Sequence, residues 1–219
     1  MTDLTIESDR AAQPSAVNVH RGLLFVLAIV TVYACLHAGF RLLASDVLGE
    51  DDVYDIVFTQ ELRIGYDAFP RQPPLFNWVL WAVQQVLGPS LESFLLIKYT
   101  ALVASVGFLY LAARRALDNT LFALLTVESM ALIYSISWRF HEGFTHEVGA
   151  MGAVLATTWL VLRVLQEGRP VDFIGLAVTM GLGFLTEPAY IVFLVTFFVA
   201  AALQPGMRRA LMQPQLLLA

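Results

Sequence analysis

The chain has 219 residues, of which 58% are hydrophobic and 14% charged, and its formal net charge is -5. So apolar a composition excludes an ordinary soluble domain, and the acidic balance excludes the basic footprint of a nucleic-acid binder. The expected fold class is therefore all-α, a polytopic transmembrane helix bundle with an external loop containing a juxtamembrane amphipathic helix, because the sequence offers about six or seven stretches near the ~20 apolar residues that a span needs.

Residues 1–21 mix acids, arginines and small polar side chains without hydrophobic periodicity, which predicts a disordered cytoplasmic tail. The transmembrane region is expected over 22–205. Its first apolar run, 22–43, follows Arg10, His20 and Arg21, so the positive-inside tendency puts the tail in the cytoplasm. The run is longer than a signal-peptide core and lacks a small-residue cleavage site, which predicts a retained helix. Cys35, the single cysteine, lies within it and is expected to be a buried apolar side chain. His37 and Arg41 stand one turn apart near the far end, where snorkelling to the interface is expected and an inward orientation is the alternative.

The loop over 44–73 opens with Glu50, Asp51 and Asp52. From 51 to 64 the pattern is amphipathic: Val53, Ile56, Val57 and Ile64 share one side, and Asp52, Asp55, Thr59 and Arg63 fall elsewhere, which predicts a helix lying along the membrane surface. Gly65 ends it, and Pro70, Pro73 and Pro74 prevent helix through the link. Helix resumes over 74–87, a short segment that either crosses a thin site or only dips into the bilayer.

Beyond Gly88 and Pro89, residues 94–113 read as a span ending at Arg114 and Arg115. A second span is expected over 121–138, carrying a lone Glu128. The polar insert over 139–147, RFHEGFTHE, precedes a span over 148–165. Residues 173–186 predict a helix whose Gly175, Gly181 and Gly183 allow close packing, and Glu187 and Pro188 interrupt it before a last apolar segment over 189–203. A short tail, 206–219, is expected to be truncated. Simple alternation of spans places Arg114 and Arg115 outside with the acidic loop, against the positive-inside tendency; a dipping 74–87 places them inside. Trp78, Trp81 and Trp138 suit the membrane interface.

Acids at a helix start satisfy free N–H groups and complement the dipole, so capping accounts for Asp51 and Asp52 at first sight. The functional alternative makes one carboxylate a general base on an acceptor hydroxyl while its neighbour positions a group or binds a divalent metal, with Asp52 the metal candidate. Adjacent helical residues point about 100° apart, which suits two roles.

The wider spacing adds Tyr54, Gln60, Gly65 with Tyr66, then Pro73, Pro74, Leu75 and Trp78. This pattern resembles the first external loop of the GT-C glycosyltransferases, in the branch of protein O-mannosyltransferase-like and aminoarabinose-lipid A transferase-like enzymes. The resemblance runs from Asp51 through Leu117 and more loosely from Thr145 to Tyr190. It implies transfer of a sugar, with inversion, from a polyprenyl-phosphate donor to an acceptor, at the external or periplasmic face of a bacterial inner membrane. It implies Asp51 as the catalytic aspartate, Asp52 as the second acid, and Tyr54, Tyr66, Arg71 and Gln72 as substrate-binding, with Arg71 toward donor phosphate. The partners it implies are the donor, membrane lipid and an unspecified acceptor. Two departures stand beside it: relatives carry Lys-Tyr where this chain has Glu187 and Pro188, and relatives are longer. The alternatives are a truncated or degenerate non-catalytic membrane protein and, third, a transporter suggested by Glu128 and the interruption at Pro188.

His141, Glu142, His146 and Glu147 form a second candidate group. Its spacing does not match a zinc-protease helix, in which the histidines stand four apart, but a loop can gather such residues at the site. No nucleotide cradle or nucleophile elbow is present in the sequence, which suits a lipid-linked donor.

Overall fold

The computed structural model describes residues 16–45, 47, 49–64, 73–143, 146–205 and 207–208; the side chains of 16–18, 50, 51, 142 and 143 lie outside the described set. The described residues form helices joined by short turns, with no strand among them. Among the described residues three helices are long and apolar enough to cross a membrane: α1 (Ala16–Ala44), α4 (Leu91–Leu117) and α7 (His146–Gln166).

α4 is the central element, packed by α1, α3 (Leu75–Leu87), α5 (Thr120–Ser129) and α7. Local chemistry sets its ends. Gly88 turns the chain at φ 77°, and Ser90 caps α4 by accepting from Ser93 N at 3.3 Å, with Ser93 Oγ in reach of Ser90 N, which satisfies free donors at both positions. At the other end Asp118 adopts a left-handed φ of 48°, a conformation that short polar side chains tolerate, and Asn119 then caps α5 through Phe122 N at 3.2 Å.

α1 runs antiparallel to α4. Gly22 lies against the ring of Tyr110 and Gly107 against Leu27 and Leu23, so the start of α1 meets the far half of α4. Arg115 pairs with Glu167 and donates to Gln166 at 2.9 Å, which ties the ends of α4 and α7 together. α8 (Pro170–Phe184) starts there too: Asp172, 1% exposed, receives Arg163 at 2.6 Å and Arg169 at 3.1 Å. Arg114, Arg115, Arg163 and Arg169 thus share one end of the bundle, which is called the arginine end below. α8 returns to the other end, where a Cβ on Gly149 would contact Thr186 at 3.3 Å, and α9 (Ala189–Leu203) runs back, with Tyr190 bonded to Thr157 at 2.6 Å.

The short helix α3 resolves the alternative left by the sequence. Its first residue bonds through Leu75 N to Leu185 O at 2.9 Å, and near its last turn Gln84 Nε2 donates to Ile56 O at 3.4 Å in α2 (Glu50–Phe58). Both contacts belong to the end opposite the arginines. With both ends held at that end, α3 does not run the length of the bundle, and its 13 residues reach only about 20 Å at 1.5 Å per residue.

Several expectations need correction. The amphipathic helix stops at Phe58, because Thr59 turns its hydroxyl back on Asp55 O at 2.5 Å and ends the ladder before residues 60–64. Its burial also departs from the expected faces: Asp52, Asp55 and Thr59 are buried together with Ile56, while Val53 and Val57 are exposed. The expected span over 121–138 is not one helix. α5 ends at Ser129, a 3₁₀ turn follows over Met130–Leu132, Ile133 is extended at ψ 110°, and a π-helical turn covers Ser135–Arg139. Ser129 Oγ bonds back to Thr126 O at 2.7 Å, the kind of competing contact that loosens a helix. Glu128 is exposed and lines a 220 Å³ apolar cavity beside this break. Cys35 is exposed, on the edge of a groove between α1 and α4. Gly175 and Gly183 make the expected close contacts, with Leu160 and Tyr190, but Gly181 faces open space.

Candidate active site

α2 sits at the end opposite the arginines, behind an extended Gly49 that carries no side-chain cap. Asp51 and Asp52 therefore occupy the first turn and not the N-cap itself. First-turn acids complement the helix dipole, but that interaction does not require burial, and Asp52 is only 5% exposed. The α2 helix turns Asp52 and Asp55 inward because they are three apart, on one face.

Lys98, on the second turn of α4, is 2% exposed at the same end. Its ammonium lies over the Phe140 ring at 5.2 Å and the Phe94 ring at 5.9 Å, and it is within electrostatic range of Asp52, Glu147 and Arg41. A buried ammonium is costly without opposite charge, so the carboxylates of α2 and α7 and the two ring faces together make this position tolerable. Sequence reading passed over Lys98. The signal was present, since a lysine inside an apolar span marks a functional position by default.

His146, the first residue of α7, places Nε2 3.5 Å from Asp55 Oδ1, with both side chains buried. The Phe76 ring packs on it, with centroids 5.0 Å apart. Glu187, half-buried in the turn before α9, lies in the field of Glu147 and His146. Burial and then the Glu147 charge push its carboxyl above the ordinary range, and His146 opposes them.

His141 does not join His146. It lies in the short helix α6 (Phe140–Gly143), between two tyrosine hydroxyls: Tyr33 Oη is 2.6 Å from Nε2 and Tyr99 Oη is 2.9 Å from Nδ1. Its ring stacks on His37, with centroids 4.1 Å apart and planes 17° apart. Burial first, then the positive fields of His37 and Lys98, lower the His141 pKa to about 4. A neutral imidazole satisfies both tyrosines, one hydroxyl donating to it and the other accepting from it. His37 accordingly faces the protein interior instead of snorkelling, with Nδ1 3.1 Å from Tyr33 O. Arg41 bonds the carbonyls of Ser45 and Val47 and closes the end of α1. Trp78 is held by Nε1 donating to Arg63 O at 2.9 Å.

The second-loop group expected from sequence is therefore split: His141 serves the tyrosines of α1 and α4, and His146 serves α2. Tyr54 is exposed and stacks on Phe58, with centroids 6.3 Å apart. Asp51 is placed by its backbone on α2. Tyr66, Arg71 and Gln72, and the side chains of Asp51 and Glu142, lie outside the described residues. Among the described residues no three His, Cys, Asp or Glu side chains gather as a metal site. Lys98, Tyr33 and Tyr99 are the members of this end that sequence reading missed; it marked Asp55 only as part of a helix face and Glu187 only as a departure from the family pattern.

The chain is 25% identical over 182 residues to the lipopolysaccharide core galacturonosyltransferase RgtB of Rhizobium johnstonii (strain DSM 114642 / LMG 32736 / 3841), covering 83% of this chain and 36% of that protein. It is 24% identical over 159 residues to the lipopolysaccharide core galacturonosyltransferase RgtA of the same organism, covering 73% of this chain and 31% of that protein. The chain thus spans about a third of the length of these curated relatives. No solved structure matches it. The family profile for dolichyl-phosphate-mannose-protein mannosyltransferase matches residues 71–219, more than half of the sequence, and the chain belongs to that family, within the GT-C glycosyltransferases.

Proposed function

We propose that the protein is a membrane glycosyltransferase that moves a sugar from a polyprenyl-phosphate-linked donor to a lipid, glycan or protein acceptor, with inversion. The observation that carries this reading is the convergence of α2, with its acidic first turn, on the buried ammonium of Lys98. A carboxylate and a cation at one end of a membrane bundle match the two demands of such a transfer.

In this reading Asp51 takes the proton of the acceptor hydroxyl as that oxygen attacks the anomeric carbon. The bond between the anomeric carbon and the phosphate oxygen breaks, and a single displacement inverts the centre. The departing polyprenyl phosphate gains negative charge, which Lys98 stabilises, and Arg71 is a second cation for it. Asp52 holds the Lys98 ammonium in place. The acidic end faces the external side of a bacterial inner membrane, because the four arginines of the opposite end belong on the cytoplasmic side. RgtA and RgtB, by their names, transfer galacturonic acid to a lipopolysaccharide core. An anionic sugar would need a cation beyond those that bind phosphate, so galacturonate donors belong in the test panel.

The test is transfer by the chain in membranes from a panel of polyprenyl-phosphate sugars, with Asp51→Asn beside the parent. Transfer by the parent and a loss of about 100-fold or more in Asp51→Asn is the expected result for a general base. Equal transfer by both removes Asp51 from that role. A second reading, a non-catalytic relative, draws on Glu187, which puts another carboxyl near Glu147 where relatives carry a cation. Donor binding without transfer by the parent favours it.

A further inference from the structure

We propose that the contact between Asp55 and His146 is a positioning device that sets the angle of α2, and thereby aims Asp51 and Asp52 at the substrate. The inference rests on the glycosyltransferase reading for its kinetic consequence, although the geometry stands without it.

The need for such a device follows from α2 itself. It has nine residues, fewer than the ~12–15 at which an isolated helix becomes marginal in water, and no side-chain cap at Gly49, so tertiary contacts must hold it. Ile56 packs into the core and Asp52 lies in the field of Lys98, and two hydrogen bonds also reach α2 from other elements. Gln84 of α3 donates to Ile56 O at a long 3.4 Å, near the last turn, and acts on the backbone alone. His146 reaches Asp55 Oδ1 at 3.5 Å, through side chains 6% and 5% exposed. Asp55 lies four residues after Asp51 and three after Asp52, so it stands one turn on from both, between the two directions in which those acids point. A rotation of α2 about its axis would carry all three residues together.

His146 suits the role of a fixed post. It is the first residue of the long helix α7, the Phe76 ring covers it, and α3 is tied nearby through Leu75 N to Leu185 O. α7 thus carries the imidazole and α3 covers it, with α3 itself anchored to the turn after α8. Among the described residues His146 Nδ1 has no hydrogen-bond partner, so the ring's described polar bond is the one to Asp55. His146 acts on the candidate catalytic acids through Asp55, which makes it a positioning residue.

The experiment uses the whole chain in a Cys35→Ser background, with a spin label on Val53→Cys, an exposed site on α2. The label is expected to be restrained in the parent background, and more mobile in Asp55→Asn and in His146→Ala, with no further gain when the two are combined, since both remove one contact. His146→Gln, which retains a donor, is expected to recover most of the restraint. In transfer assays the single variants should lose on the order of 100-fold in kcat with KM for the donor changed little, the signature of misaimed chemistry. Unchanged mobility in both single variants, or mobility effects that add, would overturn the proposal. A parent that transfers no sugar but shows the mobility pattern sinks the glycosyltransferase reading and leaves the positioning role standing.

Discussion

Gly22 and Tyr110 touch: a Cβ on Gly22 would overlap the tyrosine hydroxyl. That contact joins the first third of α1 to the last third of α4 and makes the two helices antiparallel. An odd number of full crossings after α1 would place the chain differently, so the contact settles what α3 does. The start of α3 stays by Leu185 and its last turn by α2, and the acids of α2 lie at the end opposite Arg114, Arg115, Arg163 and Arg169.

Labelling tests this arrangement. With Cys35→Ser as background, single cysteines at Gly49 and at Pro89 flank α3 and its preceding loop. Both should react with an impermeant maleimide from the same side of the membrane, and a cysteine at Asn119 from the other. Opposite sidedness at 49 and 89 would make α3 a span.

The neutral state of His141 has a pH consequence. Its folded pKa of about 4 lies below the ordinary 6.5, so the unfolded chain binds the proton more readily. The contribution is fully present above pH 6.5 and is lost as pH falls toward 4. Thermal unfolding in detergent should show midpoints dropping across that window. The drop should be smaller in His141→Phe, which has no proton to bind. An unchanged slope in that variant would remove His141 as the cause.

The glycines of α8 should respond in opposite ways. A Cβ at Gly183 would overlap the ring of Tyr190, which is 1% exposed and bonded to Thr157, so Gly183→Ala should cost about 1–3 kcal/mol through overpacking. At Gly181 nothing lies within 4 Å, and Gly181→Ala should gain up to about 1 kcal/mol from helix propensity. Unfolding midpoints of the two variants measure the difference.

Asp172 carries the arginine end. It is 1% exposed and accepts from Arg163 and Arg169, and Arg163 also stacks on Trp159 at 4.9 Å. Asp172→Asn leaves Arg163, itself only partly exposed, without its carboxylate, and should destabilise the chain by about 3 kcal/mol, near the low end for breaking a buried pair. Denaturant unfolding in micelles is the measurement.

Lys98 links folding and binding. Lys98→Met keeps the length of the chain between the Phe94 and Phe140 rings but leaves the buried Asp52 without its counter-cation, so unfolding midpoints should fall, by up to the ~3–5 kcal/mol that breaking a buried pair costs. Transfer from a polyprenyl-phosphate donor should fall, and Lys98→Arg should recover part of it. Full transfer by Lys98→Met would separate Lys98 from the donor phosphate.

The sequence by itself determined the class of protein, because hydropathy reports burial in lipid without reference to any partner. It also marked α9 residue for residue, the breaks at Gly88 and Pro188, and the acidic turn of α2, since apolar runs and prolines act locally. What only the tertiary structure decided was which residues meet. Lys98, Asp55 and His146 lie on three helices, and nothing in their local sequence shows that these helices share an end. His141 and His146, five residues apart, belong to different contacts, because the packing of α1 and α4 claims one and α2 claims the other. The direction of α3 was undecidable from its 13 apolar residues, which are long enough to dip and too short to prove a crossing. Pairing across the bundle chose between those, by tying both of its ends to the acidic side.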